Sequence, residues 1–102
     1  MQENEDQNLL VNDETYLLKL FVTGASPNST RAISNIKNIC ESKLEGRYEL
    51  EIIDVYQQPL MAETEQIIAL PLLIKKMPLP ERRFIGDLSD TQKVLKGLGI
   101  ID

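Results

Sequence analysis

The sequence predicts one α/β domain with the element order βαβαββα. Three observations carry that reading. An apolar run at positions 17–22 leads through Gly24 into a Ser-Pro helix start, and a second strand pattern fills 48–55 once that helix has ended. After position 71, two short proline-flanked strand patterns precede a final amphipathic segment. The 102 residues suffice for one core, burying roughly 60 to 70% of the surface that the unfolded chain exposes.

The first strand reads from Leu17, Leu18, Leu20, Phe21 and Val22, interrupted only by Lys19, as in an inner strand covered on both faces. Gly24 ends it. Ser26 then offers a hydroxyl as helix N-cap and Pro27 a pre-set φ at the first helical position. Ile33, Ile36, Cys40 and Leu44 recur at helical spacing until Gly46. Tyr48, Leu50 and Ile52 alternate with Glu49, Glu51 and Ile53 through Val55, giving a strand with one wetter face. Strand, helix and strand in succession imply a right-handed parallel crossover.

Pro59 opens a second helix in which Leu60, Met61, Ile67 and Ile68 supply apolar faces and which Ala69-Leu70-Pro71 closes. Leu72 to Met77 reads as a strand, Pro78-Leu79-Pro80 as a rigid turn, and Glu81 to Ile85 as the hairpin partner. Ser89 with Gln92 makes a capping-box pattern for a last helix carrying Val94, Leu95 and Leu98.

Charge divides the chain. Of sixteen acids, five (Glu3, Glu5, Asp6, Asp13 and Glu14) fall in residues 1–14 with no Lys or Arg, leaving eleven acids against eleven bases in 15–102. Residues 1–14 read as a flexible acidic tail on a domain spanning 15–102. The net charge of −5 argues against nucleic-acid binding, which draws its affinity from Lys and Arg on phosphates. No stretch approaches the roughly 20 apolar residues of a membrane span, and the acidic start lacks a signal-peptide pattern. A cytoplasmic protein is expected, and the lone Cys40 agrees with a reducing compartment.

Catalytic chemistry finds little to work with. Zero histidines remove the commonest general base and metal ligand, and the carboxylates form no ligand-like cluster, so neither metal nor cofactor is expected. Gly24-Ala25-Ser26-Pro27-Asn28 has the outline of a nucleophile elbow but lacks its second glycine, and N-capping accounts for Ser26. No Gly-rich phosphate loop ends in Lys-Ser or Lys-Thr.

The order βαβαββα is that of thioredoxin-like domains, whose enzymes place Cys-x-x-Cys where the first strand meets the first helix. Here that junction reads Ala25-Ser26-Pro27-Asn28, and Cys40 lies about three turns further along, on the apolar side. A thiol enzyme would require Cys40 to be reactive; a small core hydrophobe is the plainer reading. Pro71, preceding a strand, resembles the proline that is cis in thioredoxin-like proteins.

Cations gather at Lys75, Lys76, Arg82 and Arg83 on the hairpin, with Lys19 in the first strand and Arg31 and Lys37 on the first helix. Such a set reads either as a solvated edge that discourages aggregation or as a patch docking on acids of a protein partner. Tyr16, Phe21, Tyr48 and Phe84 sit within apolar strand patterns and are expected in the core.

Specific motifs now point to a family. Leu18-Lys19-Leu20-Phe21-Val22, Ser26-Pro27-Asn28-Ser29 with Arg31-Ala32, Ile53-Asp54-Val55 and Ala69-Leu70-Pro71 carry the first part of the resemblance. Arg82-Arg83, Ile85-Gly86-Asp87-Leu88-Ser89, and Lys93-Val94-Leu95 followed by Gly97-Leu98 complete it. Over roughly Tyr16 to Leu98 the chain resembles KaiB, the small partner protein of the bacterial Kai clock. The resemblance implies a non-enzymatic regulator that docks on KaiC, a hexameric ATPase, and helps time its phosphorylation cycle.

It also implies two folds: a self-associating ground state with a rearranged C-terminal half, often tetrameric, and a thioredoxin-like monomer competent to bind KaiC. Lys19, Arg31, Lys75, Arg82 and Arg83 are the expected partner-binding residues, and Gly97, Gly99 and Pro71 the expected switch positions. Gly97 and Gly99 should each weaken the last helix by about 1 kcal/mol relative to alanine, so that alanine at both enriches the thioredoxin-like monomer. Asp13, Glu14 and Glu51 depart from the basic residues that cyanobacterial members tend to carry there. A role in stress adaptation without a clock, and a sensing domain related to the input domain of the clock-associated sensor kinase, are the alternatives.

Overall fold

The computed structural model describes residues 14–101. Most of the acidic head, Asp13 included, lies outside them.

Seven elements follow one another as β1 (Tyr16–Val22), α1 (Pro27–Lys43), β2 (Tyr48–Asp54), α2 (Pro59–Thr64), β3 (Leu72–Met77), β4 (Arg82–Ile85) and α3 (Thr91–Leu98). The strands form one sheet in the order β2-β1-β3-β4, with β1 parallel to β2 and the other pairings antiparallel. This is the thioredoxin-like arrangement that the sequence predicts.

Strand alternation sends side chains to two separate apolar clusters. Tyr16, Leu18, Leu20 and Val22 of β1 and Leu73 of β3 meet Ala32, Ile36, Ile39, Cys40 and Leu44 from the α1 side and Val94, Leu95 and Leu98 of α3. On the opposite face Phe21, Ile53, Leu72 and Ile74 form a smaller cluster, capped by Met61, Ile67, Leu70 and Val55. Phe21 and Tyr16 are buried, and Tyr48 and Phe84 pack partly buried on the larger cluster, as expected. The Tyr16 hydroxyl donates to the Leu98 carbonyl at 3.0 Å, tying β1 to the end of α3.

Local rules explain why α1 starts where it does. Ser26 Oγ accepts the Ser29 amide at 3.2 Å, and Pro27 follows at the first helical position. Two predicted helices need correction. The second ends at Thr64, because Gln66 turns to φ 57, a left-handed conformation that breaks the helix before Ile67 and Ile68. Ile68 is left 91% exposed. The last helix is capped by Asp90, whose carboxylate accepts the Lys93 amide at 3.2 Å, and not by Ser89.

The Leu70–Pro71, Met77–Pro78 and Leu79–Pro80 peptide bonds are cis, which includes the proline singled out from the sequence. Contrary to the sequence expectation, Gly99 does not lie inside the last helix. Gly99 lies past the end of α3 at φ 81, in the left-handed region where glycine is the best residue and alanine is strained. Gly97 does lie inside α3, but a Cβ there would come within 2.7 Å of Phe84 Cζ. Alanine is strained at Gly99, and at Gly97 it requires the Phe84 ring to shift.

Candidate functional site

At the junction where thioredoxin-like enzymes hold their thiols, this chain holds interlocked hydroxyls. Ser26 Oγ donates to Ser29 Oγ at 2.9 Å, and buried Ser29 Oγ accepts the Thr23 amide at 3.1 Å. These groups are used up in capping α1. Cys40 is fully buried in the larger apolar cluster, near the far end of α1, and burial, then the nearby Glu41, pushes its thiol up to about 11. A thiol with so small a thiolate fraction is a poor nucleophile. Among the described residues no group of three His, Cys, Asp or Glu is placed to hold a metal, and no helix is long and apolar enough to cross a membrane.

The cations are better organised than the sequence suggests. Lys19 of β1, Lys76 of β3 and Arg83 of β4 point to the α2 face of the sheet, following Phe21 and Ile74 by alternation. All three converge on Glu65, the residue that caps the end of α2. Lys19 Nζ lies 3.8 Å and Lys76 Nζ 3.0 Å from Glu65 Oε2, and Arg83 Nη2 lies 3.6 Å from Oε1. Arg83 Nη2 also donates to the Glu65 carbonyl at 2.8 Å. Glu81 adds a second acid, 3.6 Å from Lys76 and 3.9 Å from Arg83. Lys76 stands in the cation set of the sequence but not among the expected partner-binding residues, and Glu65 stands in neither.

The remaining expected residues lie elsewhere. Arg31 on α1 reaches Asp87 through Nε at 3.1 Å, and also contacts Asn28. Asn35 Nδ2 donates to the Asp87 carbonyl at 2.8 Å, so α1 anchors the loop between β4 and α3 from two residues. Hydrogen bonds from Ser89, then Arg31, hold the Asp87 carboxyl below its ordinary value. Arg82 is exposed, with no ion pair among the described residues, and is the cross-strand partner of Lys75.

Lys75 itself does not belong to a surface patch in this fold. It is only 4% exposed, on the helix-covered face opposite Lys76. Burial, then repulsion from Arg82, lowers its pKa, and Glu14 opposes the shift. Two consecutive lysines in a strand must point to opposite faces, so the sequence held a signal that one of them turns inward.

Comparison with known proteins now fixes the family. Residues 19–100 match the KaiB domain family. The chain belongs to the KaiB family. Its relatives include the circadian clock oscillator protein KaiB of Synechococcus elongatus, 52% identical over 86% of each chain. A Prochlorococcus marinus counterpart is 50% identical over 90% of this chain and 86% of its own. KaiB proteins of this kind are clock regulators, and this member of the family is likewise no enzyme.

Likeness in three dimensions reaches further than likeness in sequence. The N-terminal domain of Synechococcus elongatus SasA matches with a TM-score of 0.71 at 24% identity, covering 100% of this chain and 97% of its own. Chloroplastic thioredoxin z matches at 0.70 and 22%, covering 84% and 77%. These two share the fold. Identity of 50% to 52% distinguishes KaiB from them as the family.

Proposed function

We propose that this protein is a non-enzymatic regulator that docks on a KaiC-type hexameric ATPase and modulates its phosphorylation or timing cycle. The observation that carries the reading is the 52% identity to a circadian clock oscillator protein across 86% of the chain. The chemistry of the surface supports it. Reactive groups are absent from the thioredoxin-type junction, while Lys19, Arg31, Arg82 and Arg83 offer charge at the surface. Charges so arranged govern the specificity and rate of association with an acidic partner. Lys75 would join that surface only in a different fold.

Fold switching belongs to the same proposal. A partner that binds one of two packings shifts the balance by its differential affinity, provided that the packings differ by only a few kcal/mol. A buried lysine in β3 and a second helix that buries no side chain both hold down the stability of the C-terminal half in this fold. The alternative fold is the self-associating one, and the protein works in the cytoplasm. A stress-response role through a KaiC-type partner outside a clock is the second reading, favoured by acidic Glu51 on the outer strand.

The test is a light-scattering titration against the KaiC-type protein of the same organism, with and without nucleotide. A saturable complex in one nucleotide state is expected. No complex in any state sinks the reading.

A further inference from the structure

Glu65 meets cations from three strands, yet it is carried by the least anchored element of the fold. The six-residue α2 buries no side chain, and a helix of that length has little stability of its own in water. Within the helix only half-buried Met61 adds apolar contact with the sheet, and Val55, Ile67 and Leu70 add more from the flanking segments. Directly after Glu65, Gln66 turns the chain at φ 57. The ion-pair cluster is therefore a main tie between α2 and the sheet.

We propose that Glu65 is an internal mask. Its carboxylate occupies the place that a carboxylate from an acidic segment of a protein partner takes on Lys19, Lys76 and Arg83, and α2 moves aside to admit it. The inference rests on the docking reading, which shares Lys19 and Arg83 with this cluster, and adds its regulation.

Charge complementarity selects the occupant. Three cations face Glu65 and Glu81, and Glu51 is the register partner of Lys19 on β2, so the face is balanced while Glu65 is in place and gains one positive charge in excess once Glu65 moves away. The cationic side chains remain 31% to 38% exposed, within reach of an incoming acid. Beside them lies a recess of about 170 Å³ between β1 and α2, bordered by Lys19, Leu60, Met61, Thr64 and Glu65. An acidic side chain with an apolar neighbour fits there, since Leu60 is largely exposed on the rim. Replacing one carboxylate by another leaves the cations paired throughout, which keeps the exchange near balance. The partner's other contacts then decide its direction.

The test uses the full chain, wild type and Glu65→Gln, titrated with acetyl-hexaglutamate at low salt and followed by backbone amide NMR shifts, with hexaglutamine as control. Glu65→Gln should bind hexaglutamate about fivefold more tightly, the scale of one partly exposed ion-pair network. Shifts should centre on Lys19, Lys76 and Arg83, and hexaglutamine should leave them in place. Equal affinity of the two proteins, or equal response to the two peptides, overturns the mask. In parallel, hydrogen exchange of the Glu65, Gln66 and Ile67 amides in wild type should accelerate as salt rises while β1 and β3 amides hold; unchanged exchange also overturns it. That second measurement decides alone should Glu65→Gln not fold. A KaiC-type partner that binds both proteins equally sinks only the mask, whereas accelerated exchange without any partner binding sinks only the docking reading.

Discussion

Gly97 of α3 lies against the ring of Phe84 on β4, so close that a Cβ on Gly97 would stand 2.7 Å from Phe84 Cζ. The glycine is a contact surface. Its lack of a side chain lets the last helix settle on the edge strand, and that fit outweighs the helix propensity lost by having glycine inside a helix.

Gly97→Ala should therefore destabilise this fold by about 1 to 3 kcal/mol, the scale of overpacking. In a Phe84→Leu background, where the ring is gone, the same substitution should be neutral or stabilise by up to about 1 kcal/mol. Urea unfolding of the four proteins in this cycle checks it. Additive effects would show that the two residues do not share space.

Lys75 makes a prediction about pH. Its folded-state pKa is lowered from 10.5, so between the lowered value and 10.5 the unfolded chain holds more protons than the folded one. Stability from this group is accordingly reduced at neutral pH and recovers as pH rises toward 10.5. Lys75→Met should raise stability at pH 7, on the order of 1 kcal/mol, and the gap to wild type should narrow in alkaline buffer. Thermal melts at a series of pH values measure it; a gap independent of pH would contradict the account.

Asp87 behaves in the opposite sense. Its folded-state pKa lies below the usual 3.8 because Ser89 and Arg31 hydrogen-bond the carboxylate. The stabilisation is present above 3.8 and is lost as pH falls through the lower folded value. Asp87→Asn should thus be less stable than wild type at neutral pH, with the difference shrinking in acid. A constant difference down to pH 2 would disprove it.

Cys40, with its thiol at about 11 and no exposure, should resist a disulfide reagent at pH 8 while the protein is folded. Labelling should track the unfolded fraction as urea rises. Rapid stoichiometric labelling of the native protein would revive the thiol-enzyme alternative.

The sequence was most legible where one local rule decided the outcome. Ser26 and Pro27 start α1 through capping and φ alone, and the run from Leu72 to Met77 becomes β3 with the bounds read from its pattern. The second helix was overextended because Ile67 and Ile68 keep a helical spacing, while the left-handed turn at Gln66 leaves no trace in residue type. Asp90 and Ser89 are both good caps, and only the three-dimensional path of the loop, with Asp87 taking the Ser89 amide, chooses between them. The Glu65 cluster was invisible for another reason. Its cations stand 46, 11 and 18 positions away along the chain and meet only once three strands are in register.

The central claim is that exposed charge on this scaffold does the work by docking on an ATPase, and Arg82 tests it most cleanly. It is exposed and unpaired among the described residues, and reversing its charge relieves repulsion on Lys75 instead of breaking a contact. Light-scattering titration of wild type and Arg82→Glu against the KaiC-type protein should show a complex weakened about tenfold or more by the reversal, with no loss of thermal stability. Equal binding by the two proteins would contradict the claim.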